Sequence, residues 1–247
     1  MEAGGAAVLV AEEDTPAIRR YTIAGGAASG VLPTPPVFQS RRANFGFESC
    51  GLRASGAELW TANEEALGVD GPVSGPSVGT AVRLLRYAGA GGGWLPTGQF
   101  AYITQPWHGS SVPGARSGVS SVVVLPSGRL LILERSFALA SPLFLTRIYE
   151  ADVSGATDVS GLSSLVGQVY VPAVKRLLWQ GGLNNLEGLA SGRGCPTART
   201  RCWASWTTRT PSPTTGCTRF ACRARSGRVP PISTAIPPSM ISTRSSS

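Results

Sequence analysis

The sequence predicts an all-β fold: a partial β-propeller-like domain with about three to four blades present, followed by an unstructured tail. Three observations predict it. Short apolar runs bounded by Gly, Pro, Asn and Ser recur through residues 1–192, the pattern of strands joined by tight turns. The runs group into units of roughly fifty to seventy residues with about four strands each, the period of propeller blades. Beyond residue 192 this periodicity stops.

The units follow in order. The first begins mid-blade, with Ala7–Ala11, then Glu12-Glu13-Asp14, then the alternating run Ala17–Ile23. The second opens at Asn44-Phe45-Gly46-Phe47-Glu48 and turns at Ser55-Gly56 into Leu59-Trp60-Thr61-Ala62. Asn63-Glu64-Glu65 follow, and later Ala81–Tyr87. The third opens at Ser117-Gly118-Val119-Ser120 and runs through Val122–Leu125 to the turn Pro126-Ser127-Gly128. Leu130–Leu133 comes next, then Glu134-Arg135, and later Thr146–Glu150. The fourth opens at Asn185-Leu186-Glu187-Gly188 and then meets the tail. Each unit reads as strand, turn, strand, acidic residue, loop, strand. The first runs are near-continuously apolar, as in strands buried on both faces, and the later ones alternate. A β-sandwich fits the turns but gives no reason for an acid to recur after the same strand. No segment forms an amphipathic helix, and none is long and apolar enough to span a bilayer. Met1–Glu13 lacks the basic start, apolar centre and small-residue cleavage site of a signal peptide.

The net charge of +8 invites a nucleic-acid partner. Nine Arg and no acidic residue lie in 193–247, which leaves 13 basic against 14 acidic residues in the rest. The domain is therefore near neutral, and no nucleic-acid partner is expected. Four of the five Cys, Cys195, Cys202, Cys217 and Cys222, also lie in the tail, at spacings that fit no common zinc pattern. An out-of-frame reading of GC-rich DNA accounts for the Arg, Pro, Cys, Trp and Thr together. Cys195-Pro196-Thr197-Ala198 can be encoded so that the next frame reads Leu-Pro-Asp-Gly, and the following residues can hide an apolar strand that ends in Asp-Asp. The domain is accordingly drawn as 1–192, and 193–247 as a disordered tail read out of frame.

Six segments, in order, resemble a known family. They are Phe45–Ser49, Leu59–Glu65, Arg116–Ser120, Gly128–Ser136, Ile148–Ser160 and Asn185–Gly188. Together they resemble the phytase-like family known as esterase-like activity of phytase, over roughly residues 8–192. The resemblance implies a secreted or periplasmic protein that hydrolyses phosphoric or carboxylic esters, incomplete at both ends. It differs from the histidine acid phytases, whose Arg-His-Gly-x-Arg-x-Pro loop is absent. That family carries an acid after the Ser-Gly-Val-Ser run; here Ser121 stands there.

Innermost propeller strands and their loops line a central channel, so acids recurring at one strand end would form a carboxylate ring. The recurring acids are Glu12, Glu48, Glu64, Glu65, Glu134 and Glu187. Crowded carboxylates need a proton or a cation, and hard oxygen ligands suit Ca²⁺ or Mg²⁺. Glu48, Glu64, Glu65, Glu134 and Glu187 are the candidate metal ligands, with Glu64, Glu134 and Arg135 as candidate catalytic groups. Arg135 would grip a phosphate or carboxylate with its planar fork, while Asn63 and Asn185 would contact a small ester or phosphoester ligand. Acids at strand ends also serve simply to solvate turns. A non-catalytic binding propeller and a non-functional fragment therefore stand beside the hydrolase reading.

Weaker motifs fall away. Gly75–Gly79 matches G-x-S-x-G without the required strand and helix. His108, the single His, sits in a loop. Gly89–Gly93 precedes no helix. Cys50 reads as packing. Sequencing DNA across the codons for Ser191–Ser205 tests the tail. The neighbouring frame is expected to continue a fourth unit; a frame that conceals no strand there would make the tail genuine.

Overall fold

The computed structural model describes residues 5–24, 26, 28–90, 93–110, 112–191, 200–207 and 215–222. Among the described residues, all regular structure apart from one short 3-10 turn, Pro36–Ser40, is β-strand, in four antiparallel sheets. The first holds β1 (Ala7–Glu12), β2 (Ala17–Thr22) and β3 (Ala28–Val31). The second holds β4 (Phe47–Leu52), β5 (Glu58–Asn63), β6 (Ala81–Ala90) and β7 (Gly93–Ile103). The third holds β8 (Arg116–Val124), β9 (Leu130–Phe137), β10 (Phe144–Asp152) and β11 (Val174–Gly182). The fourth holds β12 (Leu186–Ser191), β13 (Thr200–Thr207) and β14 (Thr215–Cys222). Within every sheet the strands lie in chain order, each beside the next.

Sheets stack face to face, because their strands carry apolar residues on both faces. Ile18, Leu32 and Phe38 meet Phe47, Leu59, Leu85 and Tyr87 between the first and second sheets. Trp60, Leu84, Phe100 and Tyr102 meet Val119, Val122, Leu130 and Ile132 between the second and third. Leu133 and Ile148 meet Leu186 between the third and fourth. The leading strands adjoin one another in turn: β1 lies against β4, β4 against β8 and β8 against β12. These strands line a cleft of about 510 Å³ that includes Leu9, Cys50, Val122 and Leu189. This is the partial propeller-like arrangement that the repeating pattern predicts, with β4, β8 and β12 as the axial strands.

Two strands fall inside 193–247, where the sequence indicated an unstructured tail. Thr, Trp and Cys are dense in 200–207, and such residues favour extended chain. The backbone of β13 pairs with β12 and that of β14 with β13. The side chains of both strands, and residues 192–199, 208–214 and 223–247, lie outside the described residues. So do the four tail Cys as chemical groups.

A buried ion pair fastens the long segment between β10 and β11 to the second sheet. Arg83 and Asp70 are wholly buried and joined twice, at 2.7 and 2.8 Å. The rest of the guanidinium donates to Gln99 and to the carbonyls of Val159 and Leu162. Asp70 also accepts the Leu165 N–H at 3.0 Å. Because both ions are fully hydrogen-bonded, the pair is tolerated in the core, whereas loss of one partner leaves an uncompensated charge. Asp70→Asn is expected to lose about 3–5 kcal/mol of stability in urea unfolding. A loss below about 1 kcal/mol, the range of exposed pairs, would contradict this picture.

Candidate functional site

The site arises from one repeated irregularity. In the pairing of β4 with β5, Phe47 lies opposite Asn63 and Ser49 opposite Ala62, so Glu48 is an extra residue. The pairing of β8 with β9 skips Ser120 in the same way, and that of β12 with β13 skips Glu187. Such bulges re-aim a side chain out of the alternating pattern. The residue after each of the first two bulges fastens the next unit: Ser49 Oγ accepts the Val122 N–H at 2.8 Å, and Ser121 Oγ accepts the Leu189 N–H at 3.1 Å. Ser121 is therefore the counterpart of Ser49. In the third unit Ser120 holds the bulge position that Glu48 and Glu187 hold in theirs, and its hydroxyl donates to the Leu186 carbonyl.

The neighbouring second strands supply the other half. Glu64 follows β5 directly; its N–H donates to the Gly46 carbonyl at 3.0 Å and its carbonyl accepts the Val119 N–H at 2.9 Å. A Cβ at Gly118 would lie 2.7 Å from Glu64 Cγ. A Cβ at Gly46 would collide with the Glu13 carbonyl in the same manner. Glu13 is thus the first-unit counterpart of Glu64. Sequence reasoning named Glu12 instead, and Glu12 pairs with Arg19 at 2.6 Å. Aligning Val8–Glu13 with Leu59–Glu64 and Leu130–Arg135 would have found the right residue.

Carboxylate oxygens of Glu13, Glu48 and Glu64 all lie within 4.8 Å of one another. Arg135 closes one side. Its guanidinium donates to Glu64 at 2.9 Å, to Asn185 Oδ1 at 2.8 Å and to Glu187 at 3.3 Å. Asn185 also donates to Glu187. The mouth therefore brings together Glu48, Glu64, Arg135, Asn185 and Glu187 of the expected set, and adds Glu13. Burial pushes the Glu48 carboxyl up to about 8, reinforced by Glu64 and Glu13 and opposed by Arg135. Glu13 is raised too, by burial first and then by Glu64 and Asp14.

Three other expected residues lie elsewhere. The Asn63 amide serves backbone: it donates to the Glu65 carbonyl and accepts the Arg83 N–H at 3.0 Å. Glu134, next to Arg135 on β9, projects to the opposite face. There it is buried and accepts from Tyr102 at 2.6 Å, from the Gln105 N–H at 2.8 Å and from Lys175 at 2.6 Å. It locks the second sheet to the third. Glu65 is buried beside Arg116, at 3.5 Å. His108 holds a loop, with Nδ1 2.8 Å from the Ser136 hydroxyl and Nε2 2.6 Å from the Pro142 carbonyl.

A family model, described as phytase-like and as esterase-like activity of phytase, matches residues 1–205. The chain belongs to this phytase-like family. No curated protein matches the chain. The match in this family runs from the first unit into β13 and so takes in the whole mouth. No helix among the described residues is long and apolar enough to cross a membrane, which leaves β-barrel spans unaddressed.

The raised Glu48 carboxyl couples stability to pH. Unfolded, this group loses its proton near its ordinary value of 4.5; folded, it keeps the proton up to about 8. Between these values the folded chain binds the extra proton, so stability falls as pH rises. Glu48→Gln is expected to flatten this fall, leaving the variant more stable than wild type above about pH 8 by roughly 1–2 kcal/mol after solvent screening. Urea unfolding across the window checks it; parallel profiles for the two proteins would contradict it.

Proposed function

We propose that this phytase-like chain hydrolyses phosphoric or carboxylic esters at the mouth formed by Glu13, Glu48, Glu64 and Arg135, with the aid of a divalent cation. The convergence of three carboxylates within 4.8 Å carries the reading. A site of several hard oxygens suits Ca²⁺ or Mg²⁺, and crowding that drives two of these acids toward their protonated forms is what a cation would relieve. Glu13, Glu48 and Glu64 would hold the ion, which would polarise the ester oxygen and acidify water. Glu187, near half-exposed at 45%, lies at the rim.

The chain's own residues fix the geometry. Arg135 bridges Glu64 of the second unit to Asn185 and Glu187 of the fourth, and so orients Glu64. Glu64 is further held by its backbone bonds to Gly46 and Val119. Asn185 orients Arg135 and Glu187 together. Membership of the phytase-like family supports ester chemistry in general. The resemblance also supports export to the periplasm or the medium, where millimolar calcium sites are common.

Hydrolysis of a chromogenic phosphomonoester and of a short acyl ester, with and without a chelator, tests the proposal. Turnover is expected to stop on chelation and to fall by about 10–100-fold or more in Glu64→Gln. It should persist in Glu12→Gln, whose carboxylate is outside the cluster. Glu134→Gln is expected to lose stability through its orphaned Lys175 before it loses chemistry. An intact protein that bound no divalent cation and turned over neither ester would refute the proposal and favour a binding propeller.

A further inference from the structure

Resting on the hydrolase reading, a second arginine can be assigned at this mouth. Sequence reasoning gave Arg135 the task of gripping a ligand anion, but its guanidinium is already held by Glu64, Asn185 and Glu187. Arg116 is differently placed. It opens β8 two residues before Gly118, the glycine pressed against Glu64. Its guanidinium lies over the ring of Phe45, 4.2 Å from the centroid. Phe45 immediately precedes Gly46, which packs on Glu13. Arg116 Nε is buried 3.5 Å from Glu65 Oε1 and makes no hydrogen bond among the described residues.

Glu65 is the telling partner. It is 1% exposed, and neither carboxylate oxygen has a hydrogen bond among the described residues. Burial raises its carboxyl, with Arg116 pulling the other way. A carboxylate left so poorly satisfied is destabilising on its own; among the described residues Arg116 is its strongest counter-charge, with Arg42 a weaker second. The aromatic face and the buried acid hold the inner part of the guanidinium. The side chain is 39% exposed, and neither Nη nitrogen has a hydrogen-bond partner among the described residues. A planar fork fixed from behind and open in front matches an oxyanion with two parallel bonds.

We infer that Arg116 is the oxyanion clamp of this mouth, taking the phosphate or carboxylate group of the ligand, with Phe45 and Glu65 as its positioning residues. The stack orients the fork, and Glu65 restrains Nε while leaving both Nη groups to the ligand. Arg135 is then a positioning residue for Glu64, and the two arginines divide the work the sequence assigned to one.

Calorimetric titration of inorganic phosphate, and separately of acetate, into the full chain in magnesium buffer tests this. Wild type, Arg116→Met and Arg116→Lys are compared. Arg116→Met is expected to weaken binding of the preferred anion tenfold or more. Arg116→Lys, which keeps the charge and the Glu65 pair but lacks the fork, should weaken it less. Preference for phosphate assigns a phosphoryl ligand and preference for acetate a carboxylate; either supports the clamp when Arg116 variants lose it. Should Arg116→Met fail to fold, Arg116→Lys decides. A wild type that binds neither anion, or variants that bind like wild type, would overturn the inference. The two readings separate cleanly. Anion binding lost with Arg116 in a protein that turns over no ester refutes the hydrolase and keeps the clamp. Ester turnover with KM and anion affinity unmoved in the variants keeps the hydrolase and refutes the clamp.

Discussion

Each axial strand carries one residue more than its neighbour can pair, and the mouth depends on that surplus. Regular alternation would leave Glu48 and Glu187 pointing with one face or the other of a packed sheet. The bulge turns them out of the ladder. The next residue, Ser49 or Ser121, then pins the following unit through a hydroxyl to a backbone N–H. One irregularity thus does two jobs: it aims an acid at the axis and sets the spacing between units. The glycines Gly46 and Gly118 complete it, because only a residue without Cβ lets β4 and β8 approach the backbones of Glu13 and Glu64.

The convergence is electrostatically costly, and the structure divides the cost among different devices. Arg135 ties acids from two units into one network, so the charge it offsets is shared across the interface. Glu48 answers by holding its proton to about pH 8. Two buried ion pairs away from the mouth are held by further hydrogen bonds. Arg83 with Asp70 and Lys175 with Glu134 each combine an ion pair with several further hydrogen bonds. Lys175 also lies over the rings of Tyr102 and Tyr149. Those pairs are well supported, while Glu13 and Glu48 in the mouth are held toward their protonated forms and Glu65 beside Arg116 lacks hydrogen bonds among the described residues.

Much of the fold was legible in the sequence because strands buried on two faces leave long apolar runs. Leu59–Ala62, Val122–Leu125 and Leu130–Leu133 fall within or at the end of strands where the pattern put them. The acids were legible as a recurring class, and the structure gathers Glu48 and Glu64 with Glu13 and links Glu64 to Glu187 through Arg135. Register was not legible. Successive residues on a strand face opposite ways, so a shift of one exchanges mouth for core. That is why Glu12 stood in for Glu13, and why Glu134 was grouped with Arg135 although the two project to opposite faces. Bulges hide for the same reason: nothing in the sequence marks Glu48, Ser120 and Glu187 as the unpaired positions of their strands. The pairing of Arg116 with Phe45 and Glu65 was invisible, since the three come from separate segments and share no spacing rule.

Anomalous diffraction from crystals grown with manganese, a divalent ion that accepts the same hard oxygen ligands, addresses the central claim most directly. The account predicts one strong peak among the carboxylates of Glu13, Glu48 and Glu64, within about 2.0–2.6 Å of their oxygens. No peak there, or a peak elsewhere with these three carboxylates unligated, would contradict it.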